Sequence, residues 1–181
     1  GPMVLQATRR GDTYWDQVSR AAMAESGYPW KGVPFMKSAS NDEKCLDAPG
    51  VNIPMFSITR YPYPEYHSDD DNVSLIKLDR MRESRNVLQQ AIDLAESDYV
   101  PMLRQPGPVF LSGHGLMPPR DDKYASRMAA FYDVMYALDG RLSVVQTARA
   151  IARPVADVRY WTEAFAEKGL LDRRPFVLER S

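Results

Sequence analysis

The chain has 181 residues, 44% of them hydrophobic, which is enough to bury one substantial core or two small ones. Its 23 Lys and Arg residues balance 24 Asp and Glu residues, so there is no overall positive field to hold it on nucleic acid or an anionic membrane. The single cysteine, Cys45, excludes an internal disulfide, and no apolar run is long enough to span a membrane. We therefore expect a cytoplasmic protein, in which Gly1-Pro2 is a cleavage scar before a native Met3.

The first half of the sequence predicts an α-β-β-α unit over residues 3–98. Residues 12–27 begin with a capping residue and end at a glycine, which indicates a helix. Two short apolar runs, residues 32–36 and 51–58, are bounded by Pro, Gly and Asp and predict buried strands. From Leu78 to about Ser97 a second, amphipathic helix is predicted. Its apolar positions recur at helical spacing and are Leu78, Met81, Leu88, Ile92 and Ala95.

The second half predicts a linker and a small helical domain. Residues 99–123 contain many Pro and Gly residues and are interpreted as the linker. Residues 124–138, 143–151 and 154–168 then predict three helices, and residues 170–178 predict a hairpin. This order is typical of a winged helix. The expected fold is therefore an α/β unit followed by a C-terminal winged helix-turn-helix domain over residues 124–181.

The stretch from Tyr63 to Asn72 is the most informative part of the sequence. It follows the second predicted strand and places the imidazole of His67 among four carboxylates. Such a group suits zinc, because the imidazole binds the metal while a carboxylate orients the ring through its other nitrogen. The alternative is a surface turn in which residues 69–72 cap the next element.

Residues 64–68 (Pro-Glu-Tyr-His-Ser) with Asp71 and Asn72 resemble a signature of aminopeptidase-like zinc hydrolases, which are related to zinc aminopeptidases and glutaminyl cyclases. Residues 40–44, 49–54 and 9–12 are similar to further segments of that family, as is the Gly-rich stretch 107–116. The family also ends in a winged helix, so the resemblance covers nearly the whole chain. It implies that His67 is a metal ligand, and that Asp42, Glu65, Tyr66 and Asp71 flank a pocket.

The departures from the family concern the metal site itself. Its His-x-Asp pair, its Glu-Glu pair and a further acidic ligand have no counterpart here, so the resemblance implies a chain that lacks the N-terminal catalytic part. The only other histidine, His114, is interpreted as a turn residue. A catalytic zinc site normally uses three protein ligands, so we expect zinc only if a partner chain supplies the others. Cys45 is interpreted as a small buried apolar residue rather than a nucleophile.

Three functional hypotheses follow. The first is a truncated, non-hydrolytic accessory or binding protein of a bacterial biosynthetic pathway, because the family is associated with polysaccharide and natural-product genes. The second is a zinc-dependent peptidase or amidase that a partner chain or a second copy completes. The third is a winged-helix DNA-binding regulator. From Met128 onward, however, the sequence has eight basic and seven acidic residues, and this nearly neutral balance opposes phosphate binding. The winged helix could instead bind a peptide strand or a small molecule.

Overall fold

The computed structural model describes residues 1–39 and 41–178. The chain folds into two compact units, an N-terminal unit Gly1–Glu96 and a C-terminal unit that begins at Ser97. Two parts of the predictions lie outside the described residues, namely Ser40 in the 40–44 segment and residues 179–181 of the C-terminal domain. No described helix has the length and apolar character needed to cross a membrane.

The N-terminal unit is a small mixed sheet with helices packed against it. Its elements are β1 Met3–Gln6, α1 Tyr14–Glu25, β2 Trp30–Val33, α2 Glu43–Leu46, β3 Ser57–Arg60, a short 3-10 helix Val73–Leu75, and α3 Leu78–Glu96. The strand order is β2-β1-β3. The central strand β1 runs parallel to β2, with Met3 beside Trp30, and antiparallel to β3, with Met3 beside Arg60.

The core of this unit forms where the sheet meets α1 and α3. All four residues of β1 are buried. Val18, Ala22 and Met23 of α1 are fully buried, and α1 packs against α3. The start of α1 is fixed by a capping box, in which Thr13 and Asp16 satisfy each other's backbone N–H groups. The predicted helix 12–27 is therefore confirmed.

The strand predictions were partly wrong. The central strand β1 was missed, because it is only four residues long and includes a polar residue, Gln6. The predicted strand 32–36 overlaps β2 only at residues 32 and 33, and β2 is partly exposed rather than buried. Most of the predicted strand 51–58 is irregular, because Asn52 has a left-handed backbone (φ 55°) and Pro54 has no N–H for a ladder.

The helix α3 was predicted correctly, but its buried face was not. The residues that pack inward are Val87, Ala91 and Leu94. Four of the five residues predicted to form the apolar face are exposed instead, namely Leu78, Met81, Leu88 and Ile92. An amphipathic helix normally turns its apolar stripe to the core. Here α3 carries apolar residues on two sides, and α1 together with β3 covers only the smaller set.

The C-terminal unit combines three helices with a two-stranded sheet. Its elements are β4 Tyr99–Leu103, a 3-10 helix Leu111–His114, α4 Tyr124–Ala137, α5 Val144–Ala150, α6 Val155–Glu167 and β5 Leu171–Pro175. The three predicted helices are confirmed to within a residue or two at each end. The start of α5 is fixed by a second capping box, between Ser143 and Gln146.

Two predictions for this unit were wrong. Residues 99–123 are not wholly a linker, because β4 belongs to the C-terminal unit. Residues 170–178 do not form a hairpin. They contribute one strand, β5, which pairs antiparallel with β4 so that Leu103 lies beside Leu171. The charged residues lie within that strand rather than at a turn: Asp172 binds Arg104, and the Arg173 guanidinium lies 5.2 Å from the centre of the Tyr99 ring.

Aromatic side chains fill the core of the C-terminal unit. Phe131 lies 5.1 Å from Trp161 and 6.2 Å from Phe165 between ring centres, and all three are buried. Such contacts stabilise a core beyond the area they bury. The Tyr99 hydroxyl lies 2.8 Å from the Thr162 hydroxyl, which ties the sheet to α6.

We expect Tyr99→Phe to lower the free energy of unfolding by about 1 kcal/mol, because it removes this buried hydrogen bond and leaves the ring in place. Tyr136→Phe is the matched control, since Tyr136 is 78% exposed and should be neutral. Urea denaturation followed by circular dichroism compares the two variants. Equal midpoints for both variants and the wild type would show that the Tyr99–Thr162 contact does not stabilise the unit.

Candidate functional site

The loop 61–72, which connects β3 to the 3-10 helix, contains most of the site residues predicted from the sequence. His67 lies on this loop with a left-handed backbone (φ 62°), a conformation that is uncommon outside glycine. Its ring stacks on Tyr66, with 3.8 Å between ring centres and 22° between the planes. Both side chains are exposed. The imidazole is therefore presented on the outside of the unit.

Hydrogen bonds within the loop fix its shape. The Tyr63 hydroxyl donates to Asp71, and this bond, together with partial desolvation and the nearby carboxylates, raises the pKa of Tyr63 to about 12. The Ser68 hydroxyl donates to the carbonyl of Glu65 at 2.6 Å. Asn72 caps the following 3-10 helix by accepting from the N–H of Ser74 at 3.0 Å. The acidic residues here act partly as turn and capping residues.

An ion-pair cluster joins the start of this segment to α3. Arg60, the last residue of β3, donates to Glu83 of α3 at 2.5 Å, and Arg80 donates to the same carboxylate at 3.0 Å. The hydrogen bonds from Arg60 and Arg80 lower the pKa of Glu83, since they stabilise its charged form. Loop 61–72 thus starts at a residue that is bound to α3.

The described residues do not fit a complete zinc site. His67 contributes one imidazole, and no group of three or more His, Cys, Asp or Glu side chains converges there or elsewhere in residues 1–39 and 41–178. His114 lies in the C-terminal unit, at the end of a 3-10 helix, and is exposed. Because a zinc site normally needs three protein ligands, any metal bound at His67 would depend on ligands from outside these residues.

A second polar cluster, buried rather than exposed, lies against β1. The side-chain amide of Gln6 donates to Glu43 at 2.9 Å, and its oxygen accepts from the hydroxyl of Ser38 at 3.0 Å. Burial raises the pKa of Glu43, but hydrogen bonds from the N–H groups of Asn41 and of Glu43 itself, and from Gln6, outweigh burial and lower the pKa below 4.5. This carboxylate is held in its charged form inside the unit.

Arg9 forms a third cluster, which fixes residues 47–55. Its N–H donates to the carboxylate of Asp47 at 2.8 Å, and its Nε donates to the Asp47 carbonyl at 2.6 Å. Its Nη2 donates to Asn52 at 2.6 Å, and the N–H of Met55 reaches the same Asp47 carboxylate at 3.4 Å. Asp47 is only 3% exposed, so this ion pair is a structural clamp.

The sheet separates the predicted pocket residues. Because β3 is antiparallel to β1, loop 61–72 begins beside Met3, whereas the residues before Asp47 pack at Gln6. The two segments therefore meet the sheet at opposite ends of β1. Asp42 is exposed just before α2, and in the described residues its side chain makes no hydrogen bond or ion pair with loop 61–72. Cys45 of α2 is exposed as well, so the prediction that it is buried was wrong.

Sequence reasoning singled out Asp42 and missed its buried neighbours Glu43 and Asp47. The residue types alone do not distinguish adjacent acids in one loop. Their partners, Gln6 and Arg9, are 37 and 38 residues away in the chain. Arg9 and Asn52 lie in segments that resemble the aminopeptidase-like family, but the resemblance did not predict the hydrogen bond between them.

The C-terminal unit contains a cavity of about 520 Å³ between residues 102–108 and the end of α4. This volume is in the range of small-molecule sites. Its charged side chains already have partners, since Arg104 lies 2.7 Å from Asp172 and Arg141 lies 3.6 Å from Asp139. Tyr136 is the exposed aromatic residue at its edge. The geometry indicates an apolar cleft without a reactive group.

The fold can be placed by comparison with solved structures. The chain is similar to a candidate peptidase from Clostridium acetobutylicum, whose crystal structure matches with a TM-score of 0.77 at 20% sequence identity. The match covers 96% of this chain and 39% of that chain, so the chain spans less than half of its length. The class defined by this likeness is that of α/β proteins with a peptidase-like fold.

The family is shown by the N-terminal unit. The family described as a domain of unknown function (DUF4910) matches residues 1–98, more than half of the 181-residue chain. The chain belongs to this family. No curated protein matches it. The likeness to a peptidase-like fold therefore agrees with the sequence resemblance, while the zinc site and the winged helix stay predictions.

We expect Glu43→Gln to lower the free energy of unfolding by about 2 kcal/mol at pH 7, because a buried charge-assisted cluster is weakened. The folded pKa lies below the ordinary 4.5, so this stabilisation is present above that value and is lost as the pH falls through the folded pKa. The difference between variant and wild type should shrink below about pH 4.5 in denaturation curves. Asp42→Asn, the exposed neighbour, is the control and should change stability by less than about 0.5 kcal/mol. A constant difference from pH 7 to pH 3 would contradict the assignment.

Proposed function

We propose that the chain is an accessory, binding component of a peptidase-like assembly and does not hydrolyse peptides by itself. The observation that supports this most directly is the position of His67, which is stacked on Tyr66 on the exposed surface of a hydrogen-bonded loop. An imidazole held in this way can contact a second molecule. The buried carboxylates of Glu43 and Asp47 near β1 are hydrogen-bonded to their own neighbours and have structural roles.

The main alternative is a zinc-dependent peptidase or amidase whose site a partner chain completes. The left-handed backbone at His67 favours it, since uncommon backbone conformations of this kind concentrate at functional sites. In that arrangement His67 would be the ligand that this chain supplies, and Tyr66 would fix the plane of its ring. The zinc would provide Lewis-acid chemistry when bound.

Zinc analysis and peptidase assays separate the two functions. We expect the purified chain to release no product from aminoacyl p-nitroanilides, with or without added zinc, because one imidazole cannot enforce a catalytic site. His67-dependent hydrolysis by the chain alone would refute the proposal.

The same assays are then repeated with a co-encoded peptidase-like polypeptide. If zinc is retained by the mixture and lost in His67→Ala but not in the control His114→Ala, the completed enzyme is the correct function. A complex that forms without zinc and without hydrolysis supports the accessory role.

We also propose that the C-terminal unit is a winged helix that serves protein contacts rather than DNA. The order β4, α4, α5, α6, β5 and the packing of α5 against α6 support the assignment. Several of its cations are engaged: Arg153 lies 2.7 Å from Asp133, Arg127 lies 2.9 Å from Asp121, and Arg173 lies over Tyr99. These contacts oppose the binding of the same arginines to phosphates.

We expect no shift of duplex DNA by the chain in gel-shift titrations, even at low ionic strength, where phosphate contacts are strongest. A variant with Asp133→Asn and Asp172→Asn, which frees two arginines, is the positive comparison and should bind DNA weakly at low salt. Salt-sensitive binding by the wild type would indicate a DNA-binding regulator instead.

A further inference from the structure

Four exposed apolar residues of α3 lie along one side of the helix. Leu78, Met81, Leu88 and Ile92 are 66%, 57%, 47% and 41% exposed. With Arg85 they occupy positions 78, 81, 85, 88 and 92, alternating three and four residues apart, which is the spacing of a helix-pairing seam. At about 100° per residue the stripe is centred about 140° around the helix from the buried face, so the fold leaves it open. It is called the α3 stripe below.

The α3 stripe extends beyond the helix. Val73 and Ile76, in and just after the preceding 3-10 helix, are 81% and 55% exposed. A contiguous patch of large apolar side chains is unusual on a soluble surface and marks an interaction site. The shape that matches a straight stripe of this spacing is another helix.

The positive charge of Arg85, in the middle of the α3 stripe, indicates the charge that a partner helix needs. The neighbouring arginines on α3 are paired, Arg80 with Glu83 at 3.0 Å and Arg82 with Asp79 at 3.1 Å. Arg85 makes no ion pair with any described residue, and its Nη2 donates only to the side chain of Asn86, at 2.9 Å. A helix that covers the stripe would cover this guanidinium, which then needs a carboxylate.

The charge of Arg85 also argues against a second copy of the chain as the partner that covers the α3 stripe. In an antiparallel pair of α3 helices centred on the stripe, the two Arg85 side chains would lie in adjacent layers, where like charges repel. The described α3 offers no carboxylate within the stripe to relieve them. A different partner with an acidic position fits better.

We propose that the α3 stripe docks an amphipathic helix of a partner polypeptide, with apolar residues along the seam and a carboxylate opposite Arg85. This rests on the proposed function as a binding component, and it names the surface and the chemistry of the partner. The buried face of α3, with Val87 and Ala91, is not altered by such docking.

The test uses the full chain and two designed, labelled helical peptides that carry leucines at the heptad positions. One has glutamate opposite Arg85 and the other has lysine. In fluorescence anisotropy we expect the glutamate peptide to bind about fivefold more tightly than its lysine twin. Arg85→Glu should reverse this preference.

Leu88→Glu and, independently, Met81→Glu should weaken binding about tenfold or more, because they place a charge in the seam. Ala24→Glu adds the same charge at an exposed position of α1 and should have no effect. Unchanged circular dichroism and melting temperature would show that the variants are folded. Absent binding, or equal binding of both peptides to all variants, would overturn the proposal.

Light scattering tests whether a second copy of the chain covers the α3 stripe. If the wild-type chain is a dimer that Leu88→Glu dissociates, the stripe is a self-association surface and the proposal is wrong. A partner complex that survives Leu88→Glu would refute the stripe but leave the accessory role standing. Hydrolysis by the isolated chain would refute the accessory role without bearing on the peptide result.

Discussion

The polar groups that end the central strand β1 determine how the N-terminal unit is assembled. Gln6 and Thr8 are almost completely buried, and a buried polar group must find a hydrogen-bond partner within the fold. The side-chain amide of Gln6 donates to Glu43, and the hydroxyl of Thr8 donates to Asp16 at 2.5 Å. The N–H of Arg9 donates to the carboxylate of Asp47. A few consecutive residues therefore fix α2, the start of α1 and the loop before β3.

Because the buried polar groups of the N-terminal unit bind one another, the candidate functional residues are those on its surface. The inner acids, Glu43 and Asp47, are already hydrogen-bonded and have little capacity left for a ligand. Loop 61–72 leaves the other end of the sheet, beside the ion pairs that Arg60 and Arg80 form with Glu83. Its polar bonds are local, as between Tyr63 and Asp71, so the ring of His67 stays accessible. The unit separates a structural polar interior from a surface available for contact.

The sequence allowed every α-helix except the one-turn α2 to be predicted, but not the pairing of the strands. Helix periodicity and the caps Thr13 and Ser143 are local signals, and the structure follows them closely. The pairing of β4 with β5 joins residues about 70 positions apart, and no local pattern encodes it. For the site, the short motif around His67 was recognisable, whereas the partners of Gln6 and Arg9 depend on the folded chain. The face of α3 was misjudged because apolar periodicity does not distinguish a core stripe from an interface stripe.

The α3 stripe and the His67 loop are physically connected. Glu83 lies on α3 between Met81 and Leu88, and its carboxylate binds Arg60, the residue before loop 61–72. The helix that carries the stripe is thus joined by a part-buried ion pair to the first end of the loop that presents His67. The two candidate contact features of the N-terminal unit therefore share one structural element, α3, whose opposite face is fixed in the core by Val87 and Ala91.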